Sequence, residues 1–237
     1  MPDIRSSLAA GMIWGIIPAI FKAYFNTNET LFTLMLNYVA MQIVTFCIVY
    51  WENPAGSNTV GIINSATRAG WLPALGGLTY GWNVLIVLAF TFGMYIYMKY
   101  SKQGYEVAVV GESQDTARYA RINVKRTIIR TMGISGGICG IAGFLLVSGA
   151  SHTISTSTAG GRGFTAIIVA WLSKFNAFVM ILVSFFLVFM EKGAIQIASQ
   201  FNLNENASDV ITGIILFFIL GSEFFIRYRI AFTKTHK

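Results

Sequence analysis

The residues of this 237-residue chain that could carry chemistry are few and scattered. Its two histidines, His152 and His236, and its two cysteines, Cys47 and Cys139, do not form a group with the spacing of metal ligands. The motif G-x-x-x-x-G-K-[ST] does not occur, so the chain is not expected to bind ATP through a P-loop. The sequence therefore argues against an enzyme and predicts no catalytic residue, no metal and no cofactor held by the chain itself.

Polar side chains within apolar runs are better candidates for function. A polar group inside a membrane segment is costly, and for that reason it often serves a function. A hydrogen bond between helices is the alternative explanation for any one of them. A polar, glycine-rich stretch, "SHTISTSTAGGRGFT", also borders a short apolar run. The candidates for lining a water-filled path are Asn37, Gln42, Thr91, Gly163, Phe164 and Thr165.

The composition predicts that these residues are positioned by membrane helices. Hydrophobic residues make up 55% of the chain and charged residues 11%, a balance that leaves too little polar surface for a soluble domain. A spanning helix needs about 20 apolar residues, so some of the apolar segments are short. We therefore predict an all-α, polytopic membrane protein with a single transmembrane domain, 1–237. Its seven apolar segments are 8–21, 31–50, 83–98, 132–148, 164–172, 177–190 and 210–226.

The distribution of Lys and Arg predicts the orientation. If each segment crosses once and the loop at 99–131 is cytoplasmic, 13 of the 17 basic residues lie inside and four outside. This arrangement places the N-terminus outside and the C-terminus inside. An outside N-terminus without a preceding span is unusual. It indicates either further spans upstream or a first segment that does not cross fully.

The cytoplasmic loop contains "GESQDTARYARINVKRTIIR", residues 111–130, which hold five of the 17 basic residues. Ser113 is expected to cap a short surface helix. Spacings of three and four residues then predict two stripes on neighbouring faces. The apolar stripe consists of Ala117, Ala120 and Val124, and the basic stripe of Arg118, Arg121 and Lys125. Small residues on one face favour a protein partner, whereas the alternative is a solvated loop that only follows the positive-inside rule.

A glycine-rich run, "GISGGICGIAG", follows this loop. Glycines four residues apart allow close packing between membrane helices, within one chain or across a dimer. We favour this structural role over direct contact with a solute. The helix-packing candidates are Gly133, Gly136, Gly137 and Gly140, and Gly11 and Gly15 repeat the spacing.

Three blocks carry a resemblance to a known family: "NETLFTLMLNYVA" at 28–40, "ARYARINV" followed by "GISGGICGIAG", and "GRGFTAIIVAWLSKFNA" at 161–177. In order and spacing they resemble bacterial ABC-importer permeases of the branched-chain amino acid, ribose and nucleoside type, most closely the nucleoside permeases. The resemblance covers essentially the whole chain, which is short at its N-terminus for the family. Two residues depart from the pattern: Arg121 replaces a usual glycine, and Ala177 replaces a usual proline.

The resemblance implies a permease subunit of the bacterial cytoplasmic membrane that works by alternating access. Its cargo would be a small polar solute, with a nucleoside favoured over a ribose-like sugar or a branched-chain amino acid. A non-transporting membrane scaffold derived from a truncated permease is the alternative from another class. The implied partners are ATPase subunits that bind the ATP, a second permease chain, an extracytoplasmic substrate-binding protein and membrane lipid, but no nucleic acid. The implied ATPase-coupling residues are Gly111, Glu112, Ala117, Arg118, Tyr119, Ala120, Ile122 and Asn123.

Overall fold

The computed structural model describes residues 2–52, 56–57, 59–65, 70–73, 80–155, 158, 160–201, 210–215, 217–219 and 221–222. Within these residues no strand occurs, and the predicted all-α fold is confirmed. The helices are α1 (Pro2–Phe25), α2 (Glu29–Trp51), α3 (Gly81–Tyr100), α4 (Lys102–Glu112), α5 (Gln114–Tyr119), α6 (Val124–Leu146), α7 (Arg162–Leu172) and α8 (Ala177–Gln200). A π-helical turn, Val147–Ser151, continues α6.

Five of these helices, α1, α2, α3, α6 and α8, are long and apolar enough to cross a membrane, which fits a multi-pass membrane protein. The predicted segments 8–21 and 177–190 are too short, because the corresponding helices α1 and α8 each have 24 residues. Helix α7 has 11 residues and extends about 16 Å, roughly half of a hydrocarbon core. Seven single crossings are therefore not confirmed. In the last predicted segment, residues 210–215, 217–219 and 221–222 are helical, whereas residues 216, 220 and 223–226 lie outside the described residues.

The contacts divide the chain into two compact units, Met1–Gly160 and Gly161–Lys237, each of which is described by itself. The prediction of one transmembrane domain stays a prediction. In the first unit, α1 packs along α6 more extensively than any other pair of helices. In the second unit, α7 packs against α8. The candidate coupling residues all lie in the first unit.

Glycine makes the close contact between α1 and α6 possible. A methyl group added at Gly15 would lie 2.7 Å from the carbonyl oxygen of Met132 and 3.1 Å from the Cα of Gly136. A methyl group on Gly136 would in turn meet the carbonyl oxygen of Gly11. Backbone therefore contacts backbone along this interface, as small residues allow in membrane helices. The same contact fixes the position of α6, which follows the charged loop directly.

The far end of α6 is covered by part of the 51–82 connection. The backbone N–H of Ile63 donates to the carbonyl of His152 over 2.9 Å, and the Ser148 hydroxyl donates to the carbonyl of Gly70. The Trp71 ring stacks on the His152 ring with centroids 4.0 Å apart. The π-helical turn and this part of the connection therefore pack against each other at the end of α6.

The turn between α7 and α8 explains one departure from the family pattern. Lys174 has a φ of 50°, a left-handed conformation that ends α7. The side chain of Asn176 then accepts from the backbone N–H of Phe178 and caps α8. Ala177 is consequently the first residue of α8, the position where proline is best tolerated in a helix.

Candidate functional site

The charged loop folds into two short helices, α4 and α5, and its first turn is tightly built. The Ser101 hydroxyl accepts from the backbone N–H of Gly104 over 2.9 Å, which caps α4 directly after α3 ends. A methyl group at Gly104 would lie 2.7 Å from the Cα of Met98, so a glycine is required for this close reversal. Helix α4 is thereby held against the C-terminal end of α3.

An ion pair joins α4 to α6. Arg130 Nη2 lies 3.2 Å from Glu106 Oε2, and the two side chains are only 27% and 22% exposed. By contrast, the pair between Arg118 and Asp115 is 67% and 81% exposed, so it contributes little to stability. The sheltered pair links residues 24 positions apart in sequence and ties the loop to a long membrane helix. Sequence reasoning missed it, because nothing in the spacing matched Glu106 with Arg130.

Helix α5 begins as expected and ends early. Ser113 accepts from the backbone N–H of Thr116 over 3.3 Å, so its prediction as the N-cap is confirmed. The helix ends at Tyr119, where the N–H of Ile122 donates to the carbonyl of Ala117 over 2.9 Å. Arg121 takes the left-handed conformation in this turn, with a φ of 57°. Glycine usually occupies that position, which accounts for the other departure from the family pattern.

The predicted stripes are therefore wrong in one respect. Residues 117–125 do not lie on one helix, since the chain leaves the helical conformation between α5 and α6. Ala117 is 0% exposed and Val124 is 9% exposed, so both pack within the chain instead of forming an outward contact face with Ala120. The outward surface of α5 is polar and aromatic, and Tyr119, at 90% exposed, is its most prominent residue.

The remaining coupling candidates flank α5. Gly111 and Glu112 form the exposed end of α4, and Asn123 caps α6 by accepting from the N–H of Arg126 over 3.1 Å. Two residues after Asn123, Lys125 Nζ lies 4.6 Å from the centre of the Tyr24 ring at the end of α1. The loop is thus bound to α1, α3 and α6. Its role in coupling stays a prediction.

A cavity of about 440 Å³ lies between α1, α2 and α6. Trp14 and Pro18 line it from α1, Asn37 from α2, and Ser135 and Cys139 from α6. Asn37 is thus the predicted path residue that the structure places beside two other helices. Sequence reasoning missed Trp14, Ser135 and Cys139, although Pro18, a proline in the middle of an apolar run, marked this place on α1.

Three of the six path candidates lie in the first unit, and these three are not close together there. Gln42 lies in a shallow groove lined by α2 alone. The hydroxyl of Thr91 donates to the carbonyl of Val87 over 2.9 Å, so it is satisfied within α3. Residues 163–165 form the start of α7 in the second unit, and Phe164 is 56% exposed there.

The family follows from a comparison over nearly the whole chain. A family model described as "branched-chain amino acid transport system / permease component" matches residues 4–220. The chain belongs to this family. The match includes the loop helices α4 and α5, the glycine contact and the cavity, and it agrees with the resemblance carried by the three sequence blocks. No solved structure matches this permease-family chain.

Three curated relatives are similar to this chain at a moderate level of sequence identity. The glucose ABC transporter permease protein of Haloferax volcanii is 26% identical over 95% of this chain and 62% of its own length. The guanosine ABC transporter permease protein of Bacillus subtilis is 28% identical over 92% of this chain and 63% of its own length. The nucleoside ABC transporter permease protein of Lactococcus lactis is 26% identical over 88% of this chain and 60% of its own length. The chain thus spans about three fifths of the length of these relatives.

Proposed function

We propose that this chain is the membrane-spanning permease subunit of an ABC importer and moves a small polar solute by ATP-driven alternating access. The observation that carries the proposal is the attachment of the loop. Helix α4 is held to α3 at Gly104 and to α6 by the pair of Glu106 and Arg130. A force applied to α4 and α5 from the cytoplasm would therefore move two membrane helices instead of bending a loose connection.

The proposed partners are those that an ABC importer requires. ATPase subunits, which would bind the ATP, dock on the exposed surface of α4 and α5 around Tyr119. A second permease chain, identical or homologous, completes the path across the membrane, and an extracytoplasmic substrate-binding protein delivers the solute. This chain itself binds no cofactor and no nucleic acid in the proposal, and its exposed apolar helices are surrounded by lipid and by the partner chain.

A nucleoside is the favoured cargo. The printed names of two relatives specify guanosine and nucleosides, whereas a third specifies glucose. A ribose-like sugar is therefore the first alternative, and a branched-chain amino acid, named in the family description, is the next. The alternative from another class is a membrane scaffold without transport activity.

The decisive variant is Tyr119→Glu in a tagged chain expressed with its ATPase subunits. A docked ATPase would bury this carboxylate without a partner, at a cost of several kcal/mol. We expect normal insertion, loss of the ATPase on purification and loss of guanosine uptake. Tyr80→Glu is the matched control, because Tyr80 is 56% exposed at the opposite end of α3. It should keep both the ATPase and uptake.

Two results would contradict the proposal. If the Tyr119→Glu variant holds its ATPase and transports at the normal rate, α5 is not part of the docking surface. If the unmodified chain neither binds an ATPase nor supports uptake of any tested solute, the scaffold alternative replaces the transporter.

A further inference from the structure

The cavity between α1, α2 and α6 places polar groups deep in the membrane. Asn37 lies about 12 Å from the start of α2, and Ser135 about 16 Å from the start of α6. Both residues are exposed in the chain as it stands. Lipid would leave these groups unsatisfied, so the mouth of the cavity is expected to face water or another polar surface.

The amide of Asn37 is available for a ligand. Among the described residues its side-chain partner is the sulfur of Met41, 4.0 Å away, which is too far for a strong hydrogen bond. A side-chain amide carries both hydrogen-bond donors and an acceptor, and can therefore bind a ligand edge that presents both. The hydroxyl of Ser135 lines the same cavity and adds a second group of this kind.

Helix α1 contributes a ring and a break in its hydrogen bonding. Trp14 is 36% exposed and presents an indole at the cavity. Pro18 lies four residues later and has no backbone N–H, so the carbonyl of Trp14 lacks the donor that it would have in a regular helix. Proline-interrupted segments near the centre of the membrane are typical of solute sites in transporters.

We propose that this cavity binds the nucleobase of a nucleoside, with Trp14 stacked on the ring and Asn37 and Ser135 hydrogen-bonded to its polar edge. The inference rests on the proposed function and specifies its cargo. Stacking on an aromatic side chain and hydrogen bonding to the base edge are the usual means of holding an unpaired base. The volume of about 440 Å³ falls within the usual range for small-molecule sites, about 300–1,000 Å³.

Cys139 lines the cavity and offers a direct test. In the assembled transporter carrying Cys47→Ser, a hydrophilic methanethiosulfonate should label Cys139, because a wet cavity admits the reagent. Guanosine should slow the labelling, whereas glucose and leucine should not. Trp14→Ala should raise the guanosine concentration needed for protection about tenfold or more. Trp14→Phe keeps a ring and should retain most of the protection.

Trp82→Ala is the matched control, because Trp82 is also 36% exposed but lies on α3 away from the cavity. It should leave the protection unchanged. The inference is overturned if Cys139 is not labelled, if it cross-links to Cys139 of a second chain, or if glucose protects it and guanosine does not. It also fails if guanosine is taken up without protecting Cys139, and in that case the proposed transport function stands. Loss of ATPase binding and of all uptake would instead refute the transport function.

Discussion

Replacing Gly15 with alanine tests the packing of α1 on α6. The added methyl carbon would lie 2.7 Å from the carbonyl oxygen of Met132, whereas an ordinary contact is at least 3.4 Å. The two backbones would have to separate by about 0.7 Å, which loses roughly a quarter to a half of the dispersion energy of contacts across the interface. Overpacking costs about 1–3 kcal/mol, and the gain of alanine over glycine in a helix offsets about 0.5–1 kcal/mol. We expect a net loss of about 1–2 kcal/mol.

The assay is thermal unfolding of the purified permease in detergent, followed by size-exclusion chromatography of the fraction that remains soluble. Gly143→Ala is the control, because Gly143 lies on α6 with open space around it. That variant should be stabilised by about 0.5–1 kcal/mol. The two substitutions are chemically identical, so changes in stability of opposite sign would isolate the effect of the interface between α1 and α6. Equal or higher stability of Gly15→Ala than of Gly143→Ala would refute the close contact of α1 with α6.

Three further predictions concern the turns and the ion pair. Arg121→Gly should stabilise the chain by about 0.5–1 kcal/mol, because glycine adopts the left-handed conformation without strain. A melting temperature below that of the unmodified chain would contradict the left-handed conformation of Arg121. Ala177→Pro should stabilise the chain by about 0.4–1 kcal/mol, because Ala177 begins α8 and the preceding residue is already extended, with ψ at 117°. If this variant does not fold, α8 does not begin at Ala177. Glu106→Arg and Arg130→Glu should each reduce coupled ATP hydrolysis and uptake, and combining them should restore both. A double variant no better than the singles would show that the pair does not transmit motion between α4 and α6.

The sequence alone determined the features that depend on neighbouring residues along the chain. Long apolar runs without alternation predict membrane helices, in which every backbone group is satisfied within its own segment, and the described residues contain no strand. The N-cap at Ser113 could be predicted because its side chain reaches an N–H only three residues away. The polar residue Asn37 could be singled out as costly in an apolar run, and the family could be predicted from ordered sequence blocks.

The tertiary structure decided which faces are covered and which distant residues meet. Spacing placed Ala117 on a stripe, but packing against the rest of the chain buries it, and a left-handed residue at Arg121 ends the helix that the stripe required. The contact between Glu106 and Arg130 depends on how α4 folds back on α6. The cavity lined by Trp14 and Asn37 depends on the arrangement of three helices. Periodicity along one helix contains no information on the neighbour that each face will meet, so only the assembled helices determine these contacts.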